Sequence, residues 1–172
     1  MKSLPNIRIA LATKAVKHFV ESGEISPCPE NLPNELKIQS GTFVSIKRKS
    51  RLRGCIGSVL PQTENLAKEI IQNAIYAASR DPRFSPILKS ELPDLTFSID
   101  VLSSPEKVKS ITELDCRRFG VIVKHDGQQG ILLPNLDGVD TVKKQIQICL
   151  EKARLKKESP FEIFRFESKR YK

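Results

Sequence analysis

The residues best suited to chemistry in this chain lie in one short segment, the hexapeptide LRGCIG at positions 52–57. Its cysteine, Cys55, has glycines close by on both sides and follows a basic run, KRKSR at positions 47–51. Glycine lets a backbone turn sharply or approach a ligand closely, and neighbouring arginines favour a thiolate over a thiol. The segment therefore predicts a small, accessible, cationic site around one sulfur atom.

Strand alternation assigns the side chains of this segment to two faces. If residues 51–59 are extended, successive side chains point to opposite faces. The apolar side chains of Leu52 and Ile56 then face the core, while the other face carries Arg51, Arg53 and Cys55. Because a structural cysteine usually lies on the apolar face, this pattern favours a functional one.

The predicted chemistry is that of a thiolate nucleophile that attacks an electrophile or carries a group. Arg51 and Arg53 would stabilise the anion or bind an acidic substrate through paired hydrogen bonds. The further candidate ligand contacts are Gly54, Ile56, Gly57, Asp81, Arg83 and Glu91. The structural alternative is that Asp81 and Arg83 form a salt bridge that closes a loop, and that the two glycines allow tight packing.

No metal-ligand spacing links the remaining candidate ligands, Cys28, Cys116, Cys149, His18 and His125. A helical pattern places His18 at the edge of an apolar stripe, and an exposed turn explains His125 better than a role as general base. The chain also has no GxGxxG, P-loop, GxSxG or kinase signature, which argues against a standard nucleotide or metal enzyme. No cofactor is indicated.

Composition allows one compact domain with its own core. The chain has 172 residues, 39% of them hydrophobic, and a formal net charge of +9. It has no apolar run long enough to span a membrane, and the N-terminal sequence lacks the pattern of a signal peptide, so we expect a cytosolic protein. The positive charge fits either a nucleic-acid partner or a lysine-rich surface. Few aromatic residues separate the cations, which argues against a stacking platform for single-stranded nucleic acid. A non-catalytic adaptor or nucleic-acid-binding module is therefore the alternative to a thiol enzyme or a small-ligand-binding protein.

Periodicity predicts three main helices and several strands. The helices are expected at 7–21, at 63–80 with Thr63 as N-cap, and at 141–155. Strands are expected at 41–47, 51–59, 95–101, 120–124, 130–133 and 162–166. A hairpin, a Leu-Pro pair and a helix follow one another twice, and Ile131 stands where the first copy has Cys55. This repetition indicates a duplicated α+β design, and a chance similarity of two ordinary hairpins is the alternative.

These residues resemble the AMMECR domain family, whose hallmark is an LRGCIG-type hexapeptide. The similarity continues through DPRFSP at 81–86, Glu91-Leu92, the strand at 99–105, the hairpin at 120–134 and the helix end at 152–155. Arg154 stands where the family often has glycine, Phe119 stands at an often polar position, and a common tryptophan is missing.

The resemblance implies a single domain over residues 1–172, with room for two lobes, in which helices flank a mainly antiparallel sheet. It implies no established reaction. Family members occur beside or fused with Memo-type and radical-SAM proteins, which implies a shared modification pathway. The substrate, the oligomeric state and a protein partner are left open.

Overall fold

The computed structural model describes residues 6–156 and 160–172. The chain forms two compact units. The first comprises the described residues up to Val101 together with Lys169–Lys172, and the second comprises Leu102–Ser168.

The first unit combines three strands with helices. Its elements are α1 (Ile7–Ser22), α2 (Asn34–Lys37), β1 (Thr42–Arg48), β2 (Arg51–Ser58), α3 (Leu66–Ser79), a 3₁₀ helix (Lys89–Asp94) and β3 (Leu95–Leu102). The strands are antiparallel in the order β2-β1-β3. The side chains of Val44 and Ile46 are fully buried and belong to the same core cluster as Ile70 and Ala74 of α3.

Helix α1 begins and ends where local signals predict. Asn6 caps its N-terminus by accepting from the Arg8 N–H, and Gly23 closes it in the left-handed conformation. The sequence predicts an apolar stripe through Ile7, Leu11, Ala15 and Phe19. The buried face is rotated from this stripe, because Ile7 is 42% exposed whereas Arg8 is buried. Arg8 stacks on Tyr171 and pairs with Glu35, so partners distant in sequence decide which side of the helix is covered.

Helix α3 begins two residues later than predicted, and its N-cap is Asn65 rather than Thr63. Thr63 instead donates its N–H and its hydroxyl to the Glu69 carboxylate, each at 2.9 Å. Glu69 also accepts from the Gln62 N–H and from the Ser58 hydroxyl, and its side chain is fully buried. The carboxylate therefore holds the loop between β2 and α3 against the helix.

A β-bulge in β2 corrects the predicted alternation of side chains. Cys55 pairs with Ser45 and Gly54 pairs with Ile46, but Leu52 pairs with Lys47, so Arg53 is an extra residue. The residues before the bulge therefore lie on the faces opposite to those that strict alternation predicts. Leu52 is consequently 40% exposed and not in the core, and Arg51 lies opposite Arg48, on the other face from Cys55.

The second unit is also antiparallel. Its elements are β4 (Glu106–Lys107), a 3₁₀ turn (Ile111–Glu113), β5 (Phe119–His125), β6 (Gln128–Leu132), α4 (Val142–Ala153) and β7 (Glu162–Tyr171), whose last residues belong to the first unit. Within the unit, β7 pairs with β4 on one side and with β5 on the other, and β6 pairs with β5. Asp126 and Gly127 both have positive φ in the turn between β5 and β6.

The two hairpin-and-helix segments have glycine at matching positions of their second strands. Gly54 pairs with Ile46, and at the matching place Gly130 pairs with Val123. A Cβ atom at Gly54 would lie 2.0 Å from the carbonyl oxygen of Ala77 in α3, and one at Gly130 would lie 1.8 Å from that of Cys149 in α4. Each hairpin therefore needs glycine at the point where a helix backbone packs against the second strand of that hairpin.

These observations confirm an α+β fold with antiparallel strands and flanking helices. Within residues 6–156 and 160–172, no helix has both the length and the apolar character that a bilayer span requires.

Candidate functional site

Cys55 lies on the face of the first unit's strands that carries polar side chains. Its side chain is half-buried, and the Ser45 hydroxyl donates a hydrogen bond to the sulfur at 3.2 Å. Ser45 pairs with Cys55 on one side and with Ser98 of β3 on the other. Because directly paired residues share a face, this row presents a thiol and two hydroxyl groups together.

A buried ion pair lies on the same face. Asp100 pairs with Phe43, two residues along β1 from Ser45, and its side chain is 2% exposed. Arg170 donates to it through Nε at 2.8 Å and through Nη2 at 2.9 Å. The pKa of Arg170 is raised, mainly by this hydrogen bond and to a smaller extent by the charge of Cys55.

The sequence did not single out Ser45, Asp100 or Arg170. Asp100 and Ser98 occupy polar positions of an alternating strand, and this alternation could have placed them on the polar face. Arg170 is 70 residues away from Asp100, so no local spacing could have paired them.

Asp81 and Arg83 cap the strand edge at Cys55. The Cys55 N–H donates to Asp81 Oδ2 at 2.8 Å, and Arg83 Nη2 donates to the Cys55 carbonyl oxygen at 3.4 Å. Within the described strands β2 pairs only with β1, so these contacts satisfy backbone groups that an edge strand leaves free. Arg83 is held by Asp81 through Nε at 2.9 Å and Nη2 at 2.7 Å.

Electrostatics reinforce this cap. The hydrogen bond from Arg83 holds the pKa of Asp81 far below its usual range, against the opposing effect of burial. The pKa of Arg83 is raised, first by Asp81 and in smaller part by Cys55. Asp81 therefore stays ionised and Arg83 stays charged beside the thiol.

Glu91 binds a second set of arginines. Arg53 donates to both of its carboxylate oxygens at 2.9 Å, and Arg48 donates to Oε1 at 3.2 Å. The Leu88 N–H also donates to it at 2.9 Å. The hydrogen bond from Arg53 is the largest cause that lowers the pKa of Glu91, to about 2. Arg53 additionally binds the Ser85 and Pro86 carbonyl groups, so it fastens the 81–91 segment to β2.

The remaining candidate residues of the hexapeptide have packing contacts. Gly54 lies against α3, and Ile56 packs against the core cluster of the first unit. A Cβ at Gly57 would lie 2.6 Å from the Phe43 ring and 2.3 Å from the Thr42 carbonyl oxygen. These contacts match the structural alternative for the glycines. Cys55, Asp81 and Arg83 are together; Arg53 and Glu91 form a neighbouring cluster, and Arg51 is exposed on the other face.

The other cysteines have different surroundings. Cys149 is fully buried, donates to the Val121 carbonyl group at 3.5 Å, and has a pKa that burial raises to about 12. Burial also raises the pKa of Cys28, which is half-buried beside Lys68. Cys116 is buried. Among residues 6–156 and 160–172, no group of three or more Cys, His, Asp or Glu side chains is arranged to hold a metal ion.

Comparison with known proteins identifies the family. The sequence model of AMMECR1 matches residues 9–171. The chain belongs to the AMMECR1 family. A Thermotoga maritima protein is 44% identical over 164 residues, which cover 94% of each chain. A crystal structure of an uncharacterized Pyrococcus horikoshii protein superposes with a TM-score of 0.87 at 27% identity, covering 95% of this chain and 88% of that one.

AMMECR1 sequences also occur within larger proteins. A Clostridium acetobutylicum protein is 43% identical over 166 residues, which cover 95% of this chain but 35% of that protein. This chain therefore spans about a third of that relative's length.

Proposed function

We propose that Cys55 is the reactive group of this AMMECR1 domain and acts as a nucleophile on a small electrophile. The observation that carries the proposal is the placement of the sulfur on a polar strand face, with the Ser45 hydroxyl bonded to it and the Arg170–Asp100 pair on the same face. A thiol that serves only packing is normally surrounded by apolar groups, as Cys149 is.

Each neighbour has a distinct role in this proposal. Ser45 orients the sulfur through its hydrogen bond, and Asp81 fixes the Cys55 backbone through the N–H. Arg83 and Arg170 supply positive charge where a thiolate nucleophile carries negative charge. Arg53 and Glu91 act indirectly, because they anchor the segment that contains Asp81 and Arg83.

Comparison with the hairpin of the second unit supports a role beyond packing. At the place of the Ser45–Cys55 pair, the second unit has Ile122 paired with Ile131. The same hairpin thus forms with two apolar side chains, so the hairpin itself does not require a thiol and a hydroxyl. By family association, we propose that the electrophile belongs to a modification pathway shared with Memo-type and radical-SAM proteins.

Alkylation by iodoacetamide at neutral pH tests the proposal. Peptide mapping after timed reaction is expected to show Cys55 modified at least about ten-fold faster than Cys149 in the folded chain. Ser45→Ala should slow Cys55 by about three-fold because the sulfur loses the bond that orients it. Ser98→Ala, which removes a hydroxyl from the same face, is the matched control. A Cys55 that reacts as slowly as Cys149 would refute the proposal.

A second candidate is a binding module without catalysis. The turn between β1 and β2 carries the exposed cations Lys47, Lys49 and Arg51, which suit a phosphate backbone. Oligonucleotide binding that weakens steeply with salt, and that Lys47→Gln and Lys49→Gln reduce, would support this candidate. Contacts to phosphate are strongest at low salt. The absence of binding at about 20 mM salt would therefore exclude this candidate.

A further inference from the structure

We infer that the site around Cys55 selects an electrophile that carries a carboxylate close to its reactive carbon. The inference rests on the proposed function and adds the class of substrate. Two arginines carry it: Arg83, which donates to the Cys55 carbonyl oxygen at the strand edge, and Arg170, which is bound to Asp100 on the face that carries Cys55.

Both guanidinium groups are fixed in the same way. Each uses Nε and Nη2 to bind the two oxygens of one aspartate, Asp81 for Arg83 and Asp100 for Arg170. This paired geometry restrains the plane of the guanidinium. It leaves Nη1 of each arginine outside the ion pair, as a donor for a ligand.

The two ion pairs also expose only their positive ends. The side chains of Asp81 and Asp100 are each 2% exposed, whereas those of Arg83 and Arg170 are 56% and 44% exposed. A ligand that approaches the sulfur therefore meets guanidinium groups, while the compensating carboxylates lie behind them. A planar carboxylate suits such donors because guanidinium and carboxylate groups match in shape and charge.

Lys47 extends this positive surface. It is exposed on β1, two residues from Ser45 and therefore on the face that carries Cys55. Its flexible ammonium group adds long-range attraction for an anion but no fixed direction. The fixed arginines, rather than the lysine, are therefore expected to decide which electrophile is preferred.

Two alkylating reagents that differ in charge test the inference. Iodoacetate carries a carboxylate one bond from the carbon that reacts, and iodoacetamide carries a neutral amide there. In both reactions the sulfur forms a bond to that carbon, iodide leaves with its electron pair, and the thiol proton passes to the buffer. The ratio of the two rates at Cys55, divided by the same ratio for glutathione, measures the preference for an anion.

We expect this normalised ratio to be at least about five at low ionic strength and to decrease as salt screens the arginines. The double variant Asp100→Asn with Arg170→Gln removes one pair without leaving a buried charge, and it should lower the ratio towards one. Arg83→Gln should act in the same direction. Lys49→Gln changes the net charge equally at the hairpin turn and should leave the ratio unchanged.

The outcomes separate the two proposals. If Cys55 reacts with both reagents in the glutathione ratio, the substrate class is wrong although the thiol is reactive. If the double variant melts normally and keeps the wild-type preference, the arginines do not select the anion, and the inference is also wrong. If neither reagent modifies Cys55 in the folded chain, the proposed function fails and the inference fails with it.

Discussion

Asp81, Glu91 and Asp100 are at most 6% exposed, and each binds an arginine. At the scale of single residues, these carboxylates give the site its rigidity. Burying an ionised carboxylate is costly unless charged hydrogen-bond donors compensate for the lost water. Each of the three therefore fixes an arginine in one orientation, and Asp81 additionally fixes the backbone of Cys55.

The depressed pKa of Glu91 makes part of the folding stability depend on pH. Its pKa is lowered to about 2 in the folded chain, from 4.5, by Arg53 first of all. A lowered pKa in the folded state stabilises the fold above the unfolded pKa, and this contribution is lost as pH falls towards the folded pKa. We therefore expect stability that Glu91 supplies at pH 7 to disappear between about pH 4.5 and pH 2.

Glu91→Gln tests this dependence. At pH 7 the free energy of unfolding of the variant should be about 2 kcal/mol lower than that of the wild type, because Arg53 loses its charged partner. The difference should shrink as pH falls, since a protonated Glu91 resembles glutamine. Urea unfolding from pH 7 to pH 3 measures it, and Glu64→Gln, which changes an exposed carboxylate, is the control. A constant difference across this range would show that charge is not the cause.

At the scale of elements, the two faces of β2 give the hexapeptide two separate roles. Gly54 faces α3 and allows the helix backbone to approach, whereas Cys55 faces the polar side. Position 54 therefore requires glycine because it lacks a side chain, and not because of its conformational freedom. The same requirement at Gly130 and α4 belongs to the hairpin-and-helix design itself.

Gly54→Ala is therefore expected to disrupt the first unit. Its new Cβ would lie 2.0 Å from a backbone oxygen, and relieving that overlap should cost about 3 kcal/mol or prevent folding. Gly138→Ala meets nothing within 4 Å but has a φ of +76°, and it should cost about 1 kcal/mol. Thermal unfolding of both variants provides the comparison. Equal losses would mean that α3 moves aside easily.

Helix α4 ends with a residue that is poorly suited to its conformation. Arg154 has a φ of 56°, and the N–H groups of Arg154 and Leu155 donate back to Glu151 and Leu150. This is the helix end that usually carries glycine, the residue that the family resemblance predicts there. Arg154→Gly should raise stability by about 0.5 to 1 kcal/mol. Gln147→Gly, inside the same helix, should lower it by about 1 kcal/mol, and a melting temperature that falls in both variants would contradict this explanation.

Local signals predicted the elements better than they predicted the site. Gly23 as a helix end and Asp126-Gly127 as a hairpin turn follow from conformations that few other residues adopt. The bulge at Arg53 has no such signal, and strict alternation therefore assigned Leu52 and Arg51 to the wrong faces. Arg170 joins the face that carries Cys55 through its ion pair with Asp100, 70 residues away, and a local pattern does not contain such a contact.

At the scale of the whole molecule, the net charge of +9 is distributed in two ways. Arg53, Arg83 and Arg170 are each bound to a buried carboxylate, so they offer oriented hydrogen-bond donors and little excess charge. Lys47 and Lys49, by contrast, are exposed and add to the general positive field. The first set suits a small anionic ligand, and the second suits solubility or a weak, salt-sensitive partner.

A comparison of metabolites in cells that carry wild-type, Cys55→Ser or Cys28→Ser protein tests the central role of the Cys55 sulfur most directly. If the Cys55 sulfur has this role, at least one small, carboxylate-bearing metabolite changes several-fold in the Cys55→Ser cells and stays at its wild-type level in the Cys28→Ser cells. Cys55→Ser cells that match the wild type, with the variant protein folded and equally abundant, would contradict it.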